Sequence, residues 1–166
     1  MYRSVNDFMQ DWQYESEATL KMLNKLSSKS LQQKVTAEGR SLGRLAWHLV
    51  LSLPEMLNRT GLSVKGPAED APVPKTVQEI IEAYRKAARE VSQQVKKQWK
   101  DADLLREINM YGENWQKGKV LWSLILHQTH HRAQMTVLMR QAGLKVPGVY
   151  GPSREEWKKM NMPPME

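Results

Sequence analysis

Cysteine is absent from all 166 residues. Its absence excludes disulfide frameworks, thiolate metal ligands and a cysteine nucleophile together, so any bound metal must take nitrogen or oxygen donors. Long apolar runs are missing too. LAWHLVLSLPEML (45–57) and VLWSLIL (120–126) fall far short of the roughly 20 residues that cross a bilayer, and the first carries His48 and Pro54. The opening MYRSVNDFMQDWQYESEATL places acidic and amide residues where a signal peptide needs a continuous apolar stretch, which predicts a cytoplasmic protein with no membrane association. No serine–histidine–acid order, paired-carboxylate pattern or Gly-rich phosphate loop is present, so little is left to carry chemistry except histidine.

What is present is basic. A formal charge of +7 suits nucleic acid, an anionic membrane surface or a small acidic substrate. Six tryptophans (12, 47, 99, 115, 122 and 157) offer possible stacking platforms. Trp12, Trp47 and Trp122, however, sit beside apolar helix stripes, where large aromatics fill core or interface volume. KKQWK (96–100) reads as a solvated helix end whose cations complement the macrodipole. With no compact run of cations interleaved with aromatics, an acidic small molecule is the better partner, and no specific nucleic-acid binding is expected.

The chain is long enough for one substantial core, and a single domain over 1–166 is predicted. Val5, Phe8, Met9, Trp12, Leu20, Leu23 and Leu26 recur mostly three or four apart, predicting a helix from Ser4 to about Ser27. Ser41 is placed to cap a second helix reaching about Arg59, with Pro54 inside it. GLSVKGPAEDAPVPK (61–75) is a connection that, extended, spans roughly 50 Å. That is enough to return along the preceding helix, which is about 28 Å long. TVQE (76–79) is a capping box opening a third helix to about Trp99. The segment 101–119 breaks the period and is read as a short extended or hairpin-like piece around Gly112. A fourth helix is predicted from about Val120 to Ala142 with Gly143 at its stop, and one further helical turn at Ser153. The fold class is therefore all-α, a four-helix bundle in which the long second connection allows two neighbouring helices to run parallel.

HQTHHRAQM (127–135) holds three of the four histidines. On a helix, His127 and His131 stand about 40° apart and roughly 6 Å apart along the axis. They lie on the stripe Val120, Leu124, His127, His131, Met135 and Leu138, with His130 flanking it. His48 shares an inward face with Leu45, Leu49, Ser52 and Met56. Burying neutral imidazoles in apolar stripes is costly unless each finds a partner, and a shared divalent ion supplies one. Three nitrogen donors also leave positions open for water or substrate, as in catalytic rather than closed structural sites. Core histidines without a metal are the competing reading of the pattern.

HQTHHRAQM and the LRQAGLKVPGVYGPS that follows resemble the DinB/YfiT-like family, whose pattern there is H-x-x-x-H-R-G-Q, then a helix end and a Pro-containing tail. His127, His131, Arg132 and Gln134 match, while Ala133 replaces the usual glycine, a departure bearing on close packing more than on ligation. The resemblance extends to GRLAWHLV and the long second connection. It implies an up-down-down-up bundle and frequent homodimers, with His48, His127 and His131 as ligands of zinc or nickel and His130 outside the set. Relatives in the wider family include bacillithiol- and mycothiol-type S-transferases and a thiol-dependent isomerase. By that resemblance the chain is expected to be a metal-dependent transferase joining a low-molecular-weight thiol to an electrophile. Arg132 and Gln134 are its candidate catalytic or orienting residues, and Arg132 is also a candidate holder of the thiol's carboxylates or, equally, half of a surface or dimer ion pair. A metal-dependent hydrolase and a non-catalytic, DNA-associated metal-binding protein are the alternatives.

Overall fold

The computed structural model describes residues 1–157 and 160–163. Four long helices dominate: α1 (Val5–Leu23), α2 (Leu42–Asn58), α3 (Val77–Gln98) and α4 (Lys117–Gln141), with a single turn, α5 (Arg154–Trp157), in the tail. Their starts follow local chemistry. The side chains of Ser4, Ser41 and Thr76 accept from the backbone N–H groups of Asp7, Arg44 and Glu79, and Glu79 returns the bond to Thr76 in a complete capping box. α4 stops in a Schellman motif, with Gly143 at φ 72° and Leu144 N–H donating to the Met139 carbonyl at 2.9 Å. α1 ends earlier than its apolar pattern suggests, because Asn24 turns its side-chain amide back onto the Leu20 carbonyl at 2.8 Å and closes the helix there. α2 runs through Pro54 to Asn58.

Pairing fixes the topology. Val5 N–H donates to Asp101 just past α3, while Ser28 after α1 meets Val77 at the head of α3, so α1 and α3 are antiparallel. Tyr2 pairs with Gly118, and Glu15 with Arg132, so α1 and α4 are parallel. α2 faces α4 head to tail. The order is up-down-down-up, and the connection after Thr60 makes the parallel α2–α3 pair possible. That connection is seated by Leu62 and Val64, by the two bonds of the Asn58 amide to Val64, and by the Trp47 indole N–H on the Ala71 carbonyl at 2.9 Å.

The expected hairpin is present as strands β1 (Glu107–Met110) and β2 (Glu113–Gln116), antiparallel, with Met110 opposite Glu113. Tyr111 (φ 56°) and Gly112 (φ 89°) form its two-residue turn, both in the left-handed region a type I′ turn demands. β2 passes directly into α4, so that helix begins at Lys117 rather than Val120, with no side-chain cap to announce it. At Gly118 a Cβ would stand 2.0 Å from the Tyr2 carbonyl oxygen; only glycine lets the N-terminal segment cross there.

The core is continuous from Phe8 and Trp12 through Leu49, Leu53, Ile80 and Tyr84 to Leu124 and Met135. Trp12 and Trp47 are buried as expected, but Trp122 is 42 % exposed. It lies about 100° round α4 from the buried Leu121, outside the packed arc. Among the described residues no helix is long and apolar enough to cross a membrane.

Candidate metal centre

His48 stands in the second turn of α2, and His127 and His131 near the middle of α4, where these antiparallel helices face each other. The Nε2 atoms converge: His48 to His127 is 3.1 Å and His127 to His131 is 3.2 Å. His131 is buried, whereas His48 and His127 are half-buried, so the cluster is open to solvent on one side. The three offer one ligand atom each within a mutual 4.8 Å.

Donor chemistry decides whether an ion fits. Gln134 Oε1 can only accept, so His131 Nδ1 donates to it at 2.8 Å and His131 Nε2 presents a bare lone pair to the cluster. His127 has one ring proton at most when neutral, and its buried Nδ1 has no partner. A single hydrogen cannot lie on both nitrogen–nitrogen lines, so at least one of the two contacts is not a hydrogen bond and sets like against like. A cation at the shared point resolves this. Metal–nitrogen bonds of about 2.0–2.1 Å place neighbouring donors roughly 2.9 Å apart at right angles and roughly 3.4 Å apart in a tetrahedron, and the observed spacings fall between.

Electrostatics favour neutral ligands. Desolvation, with the positive fields of His131, Arg40 and Arg44, lowers His48 to about 4. His127 is lowered to about 4 by burial and its two partners, with Glu55 opposing. Burial also lowers His131 against the Gln134 hydrogen bond. Both His48 and His127 therefore have folded values below the ordinary 6.5. The unfolded chain takes up protons first as pH falls, and stability present above about 6.5 is lost progressively toward about 4. In chelator-treated protein the urea midpoint is expected to fall between pH 6.5 and 5. The fall should be shallower in the His48→Gln/His127→Gln double variant; equal slopes would refute the assignment.

The other candidates separate. Gln134 supports the site: besides accepting from His131 it donates through Nε2 to His130 Nε2 at 3.0 Å, so His130, outside the triad, ends a chain of outer hydrogen bonds. Arg132 points away from the histidines. Its Nη1 donates to the Glu15 carbonyl at 2.8 Å and to Thr19 Oγ1 at 3.0 Å. Its Nη2 pairs with the Glu15 carboxylate and donates to Tyr150 Oη at 2.6 Å. The guanidinium that the sequence offered for catalysis or substrate carboxylates is thus occupied in a buried ion pair between α4 and α1. Ala133 is solvent-exposed, so its methyl group displaces no packing.

Two groups escaped the sequence reading. Gln128, fully buried between the ligands, accepts from Tyr84 Oη at 3.1 Å and donates to the Leu49 carbonyl and Ser52 Oγ at 3.0 and 3.1 Å, tying α4 to α2 and α3. Its flanking histidines drew attention away from a polar residue at a core position. Glu55, two turns after His48, accepts from Tyr111 Oη at 2.9 Å and pairs with Arg59 at 2.7 Å. This pins the hairpin tip beside the metal face; the i, i+4 pairing with Arg59 was legible, the tyrosine 56 residues away was not.

Known proteins resemble this chain over most of its length. The DinB family model matches residues 1–164. An uncharacterized protein of Bacillus subtilis (strain 168), YrdA, is 45 % identical over 162 residues, covering 98 % of this chain and 97 % of its own. A crystal structure of a DinB-like protein from Bacillus cereus ATCC 10987 superposes with a TM-score of 0.87 at 44 % identity, over 90 % of this chain and all of that one. A second DinB-like protein, YjoA of Bacillus subtilis, shares the fold at a TM-score of 0.68 and 16 % identity, over 89 % and 99 % of the two chains. With the bundle, the helix order and the convergent histidines in place, the chain belongs to the DinB family.

Proposed function

We propose that the protein is a divalent-metal-dependent enzyme whose site activates a low-molecular-weight thiol for transfer to an electrophile. The observation that carries this reading is the convergence of three Nε2 atoms with one side open to solvent. A zinc- or nickel-type ion bound there supplies Lewis acidity, which lowers the pKa of a thiol from its ordinary 8.5 or so into the neutral range. The chain's own part is positional. His48, His127 and His131 would hold the ion through neutral, half-buried or buried imidazoles. Gln134 fixes the tautomer of His131 by accepting its Nδ1 proton, and Gln128 locks the intervening turn of α4 against α2. Since the protein has no cysteine, the thiol must arrive as a second substrate.

A hydrolytic reading has one observation in its favour. Glu55 is a carboxylate whose field reaches His127, and in this reading it would take the proton from the attacking water. Assay of metal-loaded protein with a chloro-dinitroarene or an epoxide, with bacillithiol, glutathione, cysteine or no thiol, separates the two. The transferase reading expects conjugation that requires thiol and disappears in His48→Ala. Thiol-independent turnover of an ester or epoxide would replace it with hydrolysis, and absence of turnover with every pair would sink both.

A further inference from the structure

Arg132 being occupied, any charged substrate group must be met elsewhere. Directly along the α2–α4 seam from the histidines lies an open groove of about 400 Å³, lined by Val35, Arg40, Leu45, Gln134, Val137 and Leu138. It is continuous with the site in residue terms. Leu45 is one helical turn before His48, and Gln134 is the same residue that holds His131. Its floor is apolar: Leu45 and Leu138 are buried, and Val35 and Val137 stay exposed at 61 % and 52 %. Its charge is of one sign. Arg40 is exposed and, among the described residues, forms no ion pair and no side-chain hydrogen bond. Arg44, one turn into α2, adds a second cation whose field, like that of Arg40, reaches His48. The carboxylate that acts on the cluster, Glu55, does so through His127, toward the hairpin.

We propose that this groove holds the substrate body, and that the substrate is a small organic acid: an aliphatic or aromatic portion lying on Val35, Leu45, Val137 and Leu138, with its carboxylate on the Arg40 guanidinium. The inference rests on the reading of the three histidines as the reactive centre. The volume falls in the range of small-molecule sites, about 300–1,000 Å³, which are largely apolar with few polar anchors. One planar guanidinium matches a carboxylate in a two-pronged contact. A phosphate dianion would call for more donors than the lining offers.

Binding is best measured on chelator-treated protein, where no ion can hold the carboxylate, by titrating 4-phenylbutyrate, 4-phenylbutyramide and inorganic phosphate and following Arg Nε–Hε signals by NMR. The carboxylate should bind at least about tenfold more tightly than its neutral amide, which at about 1.4 kcal/mol per decade matches one charge-assisted contact. Phosphate should bind more weakly still. Arg40→Gln should erase the preference for acid over amide, and Val137→Trp, at an exposed position, should block both ligands. Equal affinity for acid and amide, no effect of Arg40→Gln, or tighter binding of phosphate would overturn the proposal. Metal content, measured in parallel, keeps the two readings apart. An Arg40→Gln protein that loads metal normally but has lost the acid bears out the groove, and a wild-type protein that binds the acid but never a metal ends the metal-enzyme reading alone.

Discussion

Replacing His127 with alanine is expected to abolish metal binding outright while leaving the bundle folded. His127 is the middle donor, with its Nε2 3.1 Å from His48 and 3.2 Å from His131, so its loss leaves two nitrogens on different helices with nothing between them. Gln134→Leu, which removes an outer hydrogen bond and no ligand, should weaken binding by about 10–100-fold, and His127→Ala by more than that. Thermal unfolding gives a second reading of the same difference. A ligand present at about 1,000 times its Kd stabilises the native state by about 4 kcal/mol, which for a chain of this size raises Tm by roughly 8–16 °C. Wild-type protein should show that rise with zinc or nickel and lose it with chelator. His127→Ala should show none, with an unchanged far-UV spectrum. A variant that still takes up about one ion per chain, or a wild type whose Tm ignores metal, would remove the basis for the centre.

The parts legible in the sequence are those fixed by contacts within a few residues. Ser4, Ser41 and the Thr76–Glu79 box cap the helices that their spacing announces, because a capping bond spans only three positions. Gly143 ends α4 for the same local reason. His48, His127 and His131 were legible through two periodicities and a resemblance, and the structure brings all three together. For Arg132 the sequence leaves a role at the site and an ion pair equally open, because its partner lies 117 residues away. Yet a trace of that partner is written in α1: between Trp12 and Leu20 the apolar stripe passes through Glu15 and Thr19, both buried, and the polar interruption of an inward face is the mark of a buried network. Arg40 had no such trace. It sits in a stretch without period, and only the packing of α4 against the start of α2 gives it a neighbourhood.

The second large effect is expected at that network. Arg132 and Glu15 are 3 % and 7 % exposed, and Tyr150 closes the pair by donating to the carboxylate at 2.7 Å, which draws the segment after α4 down onto α1. Tyr14 on the Val149 carbonyl and Lys21 on the Gly148 carbonyl at 2.7 Å hold the same segment. Removing one member leaves the other buried without its counter-charge, which typically costs about 3–5 kcal/mol; for this chain that is a Tm loss of roughly 6–20 °C. Arg132→Met and Glu15→Ala should both reach it. Replacing the pair together, Glu15→Leu with Arg132→Met, should recover most of the loss, since apolar groups of similar volume carry no desolvation cost. Trypsin adds a local readout. Lys145 and Arg154 flank the anchored stretch, and either single variant should be cut there well before the bundle core. Metal content should stay near that of the wild type in whatever fraction remains folded, because the guanidinium faces α1 and not the histidines. An Arg132→Met protein with wild-type stability but lost turnover would return this arginine to the reactive centre and undo its placement as the tie between α4, α1 and the tail.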